Sequence, residues 1–393
     1  MPTRSPPRGV RSARAGQGRT APMSDTNRPA LVLLGGFLGS GKTTLMMRIG
    51  EELSSRGIAT AVITNDQGEN LVDTAHARER GLAAAEIPGG CFCCKFGDFV
   101  THLSEIRRTV APRVILAEPV GSCTDLTATV LTPLSLYHSG LARLAAYIVL
   151  ADGPRLIGEY RRMNLGAPVT PREVLIAHQI CDARRLVVTK TDLLTPEEVA
   201  DAVGFLRGLS PDAQIVTCSA VSGEGIEPLI EWVTTDDEIE LSDSPDLDYD
   251  VYAAAEAEMG WYNGRATITA PAGLRIDDAT TDLLLGLKAE FGANLIHGKV
   301  LFVCEYGSLK AGVVDGRIGI DSGLSSTNPV TEAGLTVNVR AAAAPREIDA
   351  TVGRLIDELC DRVGASVSDY MHRAIVPGRP VPQHRIRRND GST

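Results

Sequence analysis

The stretch GGFLGSGKTT, residues 35–44, decides the fold of this chain. It follows the apolar run 30–34 and precedes a helix-like segment, 44–56, which is the context that a GxxxxGK[ST] match requires. Glycines let the backbone curl so that successive N–H groups converge on phosphate oxygens at a helix N-terminus. The stretch therefore predicts a phosphate-binding loop. An ordinary glycine-rich turn is the competing interpretation, and the filled motif positions disfavour it.

Each position of this loop has a predicted role. Lys42 is expected to reach the β- and γ-phosphates of a nucleotide, and Thr43 to offer its hydroxyl to Mg²⁺. Thr44 begins the helix whose dipole faces the anion. We therefore predict a nucleotide-binding loop formed by Gly36, Gly39, Ser40, Gly41, Lys42, Thr43 and Thr44.

Composition limits the class of protein. The 393 residues are 44% hydrophobic, so the chain can bury a large core in more than one domain. The net charge of −10 argues against nucleic-acid or anionic-membrane binding, because such binding needs clustered Lys and Arg. No apolar run is long enough to span a bilayer, and residues 1–29 contain arginines without the apolar part of a secretory signal. We predict a cytoplasmic protein with a disordered N-terminal extension, 1–29.

Strand-like and helix-like segments alternate from residue 30 to residue 235. This alternation predicts an α/β domain, 30–235, with a mostly parallel sheet covered by helices on both faces, as in P-loop NTPases. Ligands of such sheets gather at the carboxyl ends of the strands. The predicted strands are 30–34, 59–64, 114–117, 145–151, 185–189 and 214–217.

The composition changes after residue 235. Residues 236–250 are rich in Asp and Glu and predict a solvated acidic linker. Residues 251–375 contain strand-like and helix-like runs in the order β-α-β-β-α and predict a smaller α+β domain. Residues 376–393 hold arginines among prolines and predict a basic flexible tail.

Carboxylates follow two of the predicted strands. Asp66, in the NDQG stretch after the second strand, is expected to position Mg²⁺ or the attacking water. Glu118 ends the third strand, where it can hold the Mg²⁺ shell, and Gly121 can give its N–H to the γ-phosphate. The predicted catalytic residues are Lys42, Asp66 and Glu118.

A further motif predicts which base is bound. Asp192, in the TKTD stretch 189–192, can accept hydrogen bonds from the N1 and N2 edge of guanine, which adenine does not offer. The Ser-Ala pair after the next strand is expected to pack against the base. The predicted nucleotide is therefore GTP, and the predicted base site comprises Thr189, Lys190, Asp192, Ser219 and Ala220.

Cys91, Cys93 and Cys94 lie close together in the chain after two glycines. Such a group can present two or three sulfurs to one cation such as Zn²⁺, Co²⁺, Ni²⁺ or Cu⁺, and Glu86 or a water can complete the shell. A redox pair, a strained vicinal disulfide and structural thiols are the competing interpretations. The remaining cysteines, Cys123 among them, are isolated in the sequence and are interpreted as small core residues.

Together the phosphate loop, the 86–94 stretch, the EPVG motif 118–121 and the TKTD stretch resemble the CobW family of P-loop GTPases, which is related to the nickel-insertion GTPases of urease and hydrogenase. The resemblance covers about residues 30–233. It implies GTP hydrolysis coupled to delivery of a transition metal into a client metalloprotein or a cofactor-biosynthesis pathway. The metals expected before others are zinc and cobalt. GTPases of this group often act as dimers, so the resemblance also implies a homodimer.

The chain departs from the family pattern at two motifs. Thr189 stands where an asparagine is usual in the guanine motif, which bears on the tightness of base selection. Asp66 stands where the family more often has glutamate, a replacement that keeps a carboxylate.

Three functions agree with these motifs to different degrees. A GTPase metallochaperone explains both the phosphate loop and the clustered cysteines. A regulatory switch would instead bind a partner protein in its GTP state, with the cysteines holding the loop. A P-loop kinase using ATP is disfavoured, because Asp192, the predicted guanine ligand, would have no role in binding adenine.

Overall fold

Two β-sheets organise the protein. The computed structural model describes residues 28–65, 81–87, 90–241 and 243–387. In these ranges, a seven-stranded parallel sheet precedes a six-stranded antiparallel sheet. The predicted fold class, a P-loop-type α/β domain followed by a smaller α+β domain, is confirmed. No helix in the described ranges combines the length and apolar character needed to cross a membrane.

The first sheet has the strand order β3-β2-β4-β1-β5-β6-β7, and all its pairings are parallel. The order reverses at the central strand, because β1 lies between β4 and β5. Ligands of open α/β sheets bind beside such a reversal, at the carboxyl ends of the strands. The strands are β1 (Ala30–Gly35), β2 (Thr60–Asn65), β3 (Ala83–Ile87), β4 (Val114–Glu118), β5 (Arg143–Asp152), β6 (Arg185–Thr189) and β7 (Gln214–Thr217).

Helices cover both faces of this sheet. Alternate residues of β1 enter two different apolar clusters, Leu31 and Leu33 on one face and Val32 and Leu34 on the other. Burial on both faces explains why the strand reads as a continuous apolar run. The helices of this domain are α1 (Lys42–Ser55), α2 (Phe96–Thr109), α3 (Thr132–His138), α4 (Gly153–Asn164), α5 (Pro171–Cys181), α6 (Pro196–Leu209) and α7 (Glu227–Thr234).

Strand β3 and helices α3 and α4 were not predicted from the sequence. The strand β3 reads AAAEI, and alanine has little preference for strands. Helix α4 follows β5 directly, because the Asp152 carboxylate caps it by accepting a hydrogen bond from the Arg155 N–H at 3.1 Å.

The second sheet has the order β11-β10-β9-β12-β8-β13, and all its pairings are antiparallel. Helices α9 (Ile276–Phe291) and α10 (Pro345–Val363) share one apolar cluster with it, and α8 (Tyr249–Ala257) precedes it. The strands are β8 (Gly260–Leu274), β9 (Leu295–Cys304), β10 (Gly307–Val314), β11 (Arg317–Ser322), β12 (Val330–Ala341) and β13 (Ser366–Ile375).

The hairpin of β10 and β11, which was not predicted, reaches the first domain. Its tip is Asp315-Gly316, and both residues have positive φ, 46° and 76°. Asp315 forms an ion pair with Arg155 at 2.8 Å. The adjacent Val314 lies so close to Gly39 that a Cβ there would meet its Cγ1 at 2.5 Å. The second domain therefore contacts the phosphate loop directly.

The described part of the C-terminal tail, residues 376–387, packs on the first domain, whereas the sequence predicted a flexible tail. The Gln383 N–H donates to the Cys93 carbonyl at 2.9 Å, and Arg385 forms an ion pair with the buried Asp125 at 2.7 Å. The predicted linker makes a similar contact, since the Ser244 hydroxyl donates to the Asp125 carboxylate at 2.6 Å. Buried carboxylates anchor both segments, and sequence composition does not reveal such partners.

Candidate functional site

The phosphate loop, residues 35–44, connects β1 to α1. Gly36, Gly39 and Gly41 have φ of 128°, 79° and 90°, a region that glycine occupies without strain. A Cβ at Gly36 would lie 2.4 Å from the Leu150 carbonyl oxygen, so this position also requires the absence of a side chain. The loop thus has the tight, glycine-dependent curl predicted from its sequence.

The polar groups of this loop suit a phosphate. Ser40 is 1% exposed, and in the described ranges its hydroxyl has no hydrogen-bond partner. The Lys42 ammonium donates to the carbonyls of Gly36 at 2.8 Å and Phe37 at 3.3 Å, so it lies within the curl of the loop. A buried hydroxyl and a buried ammonium beside the start of α1 fit the anionic part of a nucleotide.

Thr43 and Glu118 meet across the end of the sheet. The Thr43 hydroxyl lies 2.9 and 3.1 Å from the two carboxylate oxygens of Glu118, and both residues are buried. The Lys42 ammonium lies 4.0 Å from the same carboxylate. A hydroxyl and a carboxylate are oxygen donors of the kind that Mg²⁺ takes beside nucleotide phosphates, so the residues present fit that ion.

The segment 118–123 leads from this carboxylate along the phosphate loop. A Cβ at Gly121 would lie 2.7 Å from the Leu38 side chain and 3.0 Å from its backbone nitrogen, so glycine permits the close approach. The buried Gln179 amide donates to the carbonyls of Gly121 at 3.1 Å and Cys123 at 2.7 Å. Segment 118–123 therefore contacts the phosphate loop on one side and helix α5 on the other.

In the predicted base site, Thr189 contacts the phosphate loop. Its hydroxyl donates to the Ser40 carbonyl at 2.8 Å and to the Ala151 carbonyl at 3.2 Å. The Lys190 ammonium forms an ion pair with Asp152 at 2.5 Å. Thr189 thus links β6 to the phosphate loop. Its hydroxyl makes this contact at a position where the family usually has asparagine.

Asp192 lies in a 3₁₀ turn (Thr191–Leu193), with its side chain exposed. The Thr191 N–H donates to the Cys218 carbonyl at 3.3 Å, which brings the turn beside the loop that follows β7. Ser219 is buried in that loop, and Ala220 is half-buried. The structure therefore brings together the two loops from which the guanine site is predicted.

The cysteine loop, residues 90–95, carries the three clustered thiols. The Sγ atoms of Cys91 and Cys93 are 2.8 Å apart, and those of Cys93 and Cys94 are 3.9 Å apart. All three lie within 4.8 Å of one another, which is close enough for one ion. Glu86, the other predicted ligand, lies on β3 opposite Thr64 and is not part of this group.

Hydrogen bonds between thiols set their acidity. The Cys91 pKa is held well below its usual value because Cys123, Cys93 and Cys94 donate to its sulfur. The pKa of Cys94 is raised to about 11, mainly by its hydrogen bond to Cys91. A thiolate stabilised in this way is the form that binds metal ions.

Cys123 is buried in the core, as predicted from the sequence, and it belongs to the same apolar cluster as Cys91 and Cys93. Burial raises the pKa of the Cys123 thiol well above its usual value, and this thiol contributes to the lowered pKa of Cys91. The signal that could have revealed it is its position two residues after Gly121, at the end of a nucleotide motif. Because Cys123 is far from the cysteine loop along the chain, the sequence alone does not indicate that they belong to one cluster.

The end of β2 also touches the cysteine loop. The Asn65 amide donates to the carbonyls of Ile87 at 2.7 Å and Gly90 at 2.6 Å. Asn65 precedes Asp66, whose predicted role in positioning Mg²⁺ or water lies outside the described residues. The end of β2 therefore borders the cysteine loop.

Glu256 of α8 was missed by sequence reasoning. It is 1% exposed, and one carboxylate oxygen accepts a hydrogen bond from the Ser122 hydroxyl. Burial raises its pKa to about 7, and the nearby Cys91 thiolate acts in the same direction. No local motif marks this glutamate, because its surroundings come from distant parts of the chain.

Known proteins match about half of the chain. Zinc chaperone YeiR of Escherichia coli is 30% identical over 166 residues, 42% of this chain and 47% of that protein. Zinc-regulated GTPase metalloprotein activator 1 of Dictyostelium discoideum is 23% identical over 234 residues, 52% and 47%. Hydrogenase maturation factor HypB of Azotobacter vinelandii is 26% identical over 197 residues, 50% and 56%.

These matches span about half the length of the relatives. Residues 30–217 match the family described as "CobW/HypB/UreG, nucleotide-binding domain". This range contains the phosphate loop, the cysteine loop, segment 118–123 and the TKTD stretch. Residues 30–217 are therefore similar in sequence to the nucleotide-binding domains of the CobW/HypB/UreG family.

Proposed function

We propose that the chain is a GTP-hydrolysing metallochaperone. It binds a transition metal ion, zinc or cobalt, at Cys91, Cys93 and Cys94 and delivers it to a client metalloprotein or a cofactor-biosynthesis enzyme. The observation that carries this proposal is the clustering of the three thiols within 4.8 Å, on a loop that the end of β2 contacts through Asn65. Relatives named as a zinc chaperone and as a zinc-regulated GTPase metalloprotein activator support it.

The nucleotide half of the proposal assigns roles to residues. Lys42 and the loop N–H groups bind the β- and γ-phosphates, and Gly121 donates its N–H to the γ-phosphate. Thr43 and Glu118 hold Mg²⁺, which, when bound, neutralises charge on the phosphates during transfer. Asp66 positions Mg²⁺ or the attacking water.

The base is selected next to the phosphate site. Asp192 accepts hydrogen bonds from guanine, and the Ser219-Ala220 loop covers the ring. Thr189 and Lys190 fix these loops against the phosphate loop through the Ser40 carbonyl and the Asp152 carboxylate.

The metal half of the proposal follows from donor chemistry. Thiolates prefer soft and borderline cations, and Zn²⁺ and Co²⁺ accept tetrahedral sulfur shells. Because the thiols must lose protons when they bind a metal, affinity should increase with pH. The metal ion is the cargo of the protein. The affinity of the protein for this ion must therefore change during the GTP cycle.

The test is metal binding by reduced, anaerobically purified full-length protein. We expect stoichiometric Zn²⁺ or Co²⁺ binding by the wild type and loss of that binding in Cys91→Ala/Cys93→Ala/Cys94→Ala. Cys360→Ala is the control, because Cys360 is buried in the apolar cluster of the second domain. A wild type that binds neither ion, with or without GTP, would contradict the proposal. GTP-dependent capture of a partner protein that persists in the triple variant would favour a regulatory switch instead.

A further inference from the structure

Arg155 joins the phosphate loop to the second domain. It lies in the first turn of α4, directly after β5, and its side chain is 8% exposed. Its Nη1 donates a hydrogen bond to the Leu38 carbonyl at 2.8 Å. Its Nε and Nη2 lie 3.0 and 2.8 Å from Oδ2 of Asp315, at the tip of the β10–β11 hairpin. One guanidinium group therefore contacts both domains at once.

The Leu38 carbonyl belongs to the same peptide unit as the Gly39 N–H, and this unit is trans. A trans peptide unit is planar, so its C=O and N–H point in opposite directions. Because Arg155 holds the carbonyl, the Gly39 N–H is directed away from Arg155. The N–H groups of this loop are the donors of the proposed phosphate site. The glycines set the curl of the loop, whereas the direction of this N–H is fixed from outside it.

We infer that Arg155 and Asp315 are positioning residues for GTP hydrolysis. Asp315 of the second domain holds Arg155, and Arg155 holds the Leu38–Gly39 peptide unit so that its N–H faces the phosphates. The inference rests on the GTPase half of the proposed function. Neither side chain is assigned a contact with the nucleotide, so both act on the reaction through the phosphate loop.

The hairpin that carries Asp315 is well supported. Strand β10 pairs with β9 along its full length and with β11 over residues 309–314. The turn residues Asp315 and Gly316 both have the positive φ of a tight two-residue hairpin turn. Next to this turn, Val314 lies against Gly39. The hairpin therefore reaches the phosphate loop at the same peptide unit that Arg155 holds.

The competing interpretation is an ion pair that only stabilises the packing of the two domains. Exposed ion pairs contribute little to stability, but this guanidinium is largely shielded from solvent. An arginine also presents several donors in a fixed fork, which lets it bond a carbonyl and a carboxylate together. A packing role would change the free energy of unfolding alone. A positioning role would also change GTP turnover by the folded protein.

Steady-state GTP hydrolysis by the full-length protein tests the inference. Arg155→Met should lower kcat/KM by about 10–100-fold, the effect of misplacing a group near the reaction by up to about 1 Å. Asp315→Ala should lower it by about 3–10-fold, because Arg155 keeps its bond to Leu38. The double variant should match Arg155→Met, since both residues act through one contact.

Two further variants complete this experiment. Asp315→Asn keeps an acceptor oxygen, so its kcat/KM should lie between those of Asp315→Ala and the wild type. Asp282→Ala is the matched control, because it removes an ion pair with Arg362, at 2.6 Å, within the second domain. It should hydrolyse GTP like the wild type.

Denaturant unfolding of the same variants separates the two interpretations. Wild-type kcat/KM in Arg155→Met and Asp315→Ala, with a reduced free energy of unfolding, would overturn the inference and leave the proposed function intact. Losses that multiply in the double variant would overturn it as well, because the two residues would then act independently. A wild type that hydrolyses no GTP would instead contradict the proposed function. If Arg155→Met fails to fold by circular dichroism, Asp315→Ala and Asp315→Asn still decide.

Discussion

The phosphate loop and the cysteine loop are both short, glycine-containing loops at the carboxyl edge of the parallel sheet, yet they are built differently. The phosphate loop takes its shape from local features, namely three glycines with positive φ and a helix that begins at Lys42. The cysteine loop is instead surrounded by residues that are remote from it along the chain, namely Asn65, Cys123, Glu256 and the C-terminal tail.

This difference explains what each loop can do. A loop made of backbone N–H groups binds the phosphates that all nucleotides share, and its shape need not change. A thiol cluster surrounded by residues from separate segments responds whenever one segment moves. We therefore expect changes in the phosphate loop to affect nucleotide chemistry first, and changes around the cysteine loop to affect metal affinity first.

Lys42→Ala is expected to have the largest effect and separates the two loops. Loss of a preorganised charge-stabilising donor should lower kcat/KM for GTP hydrolysis by about 10²–10³-fold. Zn²⁺ affinity without nucleotide should remain that of the wild type. Phosphate-release kinetics and a zinc titration measure the two quantities, and the exposed Lys288→Ala is the control. Near-normal GTP hydrolysis by Lys42→Ala would remove the phosphate assignment.

Gly39→Ala tests the one place where the phosphate loop also depends on a remote contact. Positive φ costs a side chain about 1–2 kcal/mol at Gly39 and at Gly41 alike. At Gly39 the new Cβ also meets Val314, which should add about 1–3 kcal/mol, whereas at Gly41 nothing lies within 4 Å.

Denaturant unfolding should therefore show a larger loss of stability for Gly39→Ala than for Gly41→Ala. Adding Val314→Ala should recover part of the difference. Equal losses in the two glycine variants, with no recovery, would show that the β10–β11 hairpin does not press on the phosphate loop.

The pH dependence of stability tests Glu159, which faces Arg155 beside this hairpin contact. Burial raises the Glu159 pKa from 4.5 to about 7. The folded state thus favours the neutral carboxyl, and this stabilisation is present below pH 4.5 and is lost as pH rises through 7. Glu159→Gln should reduce that loss by an amount on the order of 2 kcal/mol.

Unfolding free energies measured from pH 4.5 to pH 7.5 check this expectation. The exposed Glu231→Gln serves as the control for removing a carboxylate. If the slopes of the wild type and Glu159→Gln are the same, the burial account of Glu159 is wrong.

Thr189→Val should have the smallest effect. It removes the hydroxyl that donates to the Ser40 and Ala151 carbonyls, which should cost about 1–2 kcal/mol of stability. The KM for GTP should rise modestly, because the phosphate loop loses a contact. Thr189→Ser keeps the hydroxyl and should stay close to the wild type in both measurements. Equal behaviour of the two variants would show that the hydroxyl has no such role.

Sequence reasoning predicts what is local. The phosphate loop, the strands on either side of it and the thiol motif were identified because apolar runs, glycines and cysteine spacing are properties of neighbouring residues. Strand β3 and the β10–β11 hairpin were missed, although the Asp315-Gly316 pair is a hairpin signal. The polar edge strand β13 was missed because it lacks an apolar pattern.

The residues around the thiols were harder to predict for a physical reason. Cys123 reads as an isolated cysteine, and Glu256 as a surface carboxylate, until the fold buries both near Cys91. The tail reads as flexible because its partners, Cys93 and Asp125, belong to a different domain. Contacts of high sequence separation leave no pattern in a single sequence.

The central claim is that segment 118–123 joins the phosphate loop to the thiols, so that the bound nucleotide changes the affinity for the metal. A competition titration of Zn²⁺ against the wild type, with GDP and with a non-hydrolysable GTP analogue, tests it most directly. The account predicts affinities that differ by about 5–150-fold, the usual range of coupling between two sites. The same Zn²⁺ affinity in both states, with each nucleotide shown to be bound, would contradict it.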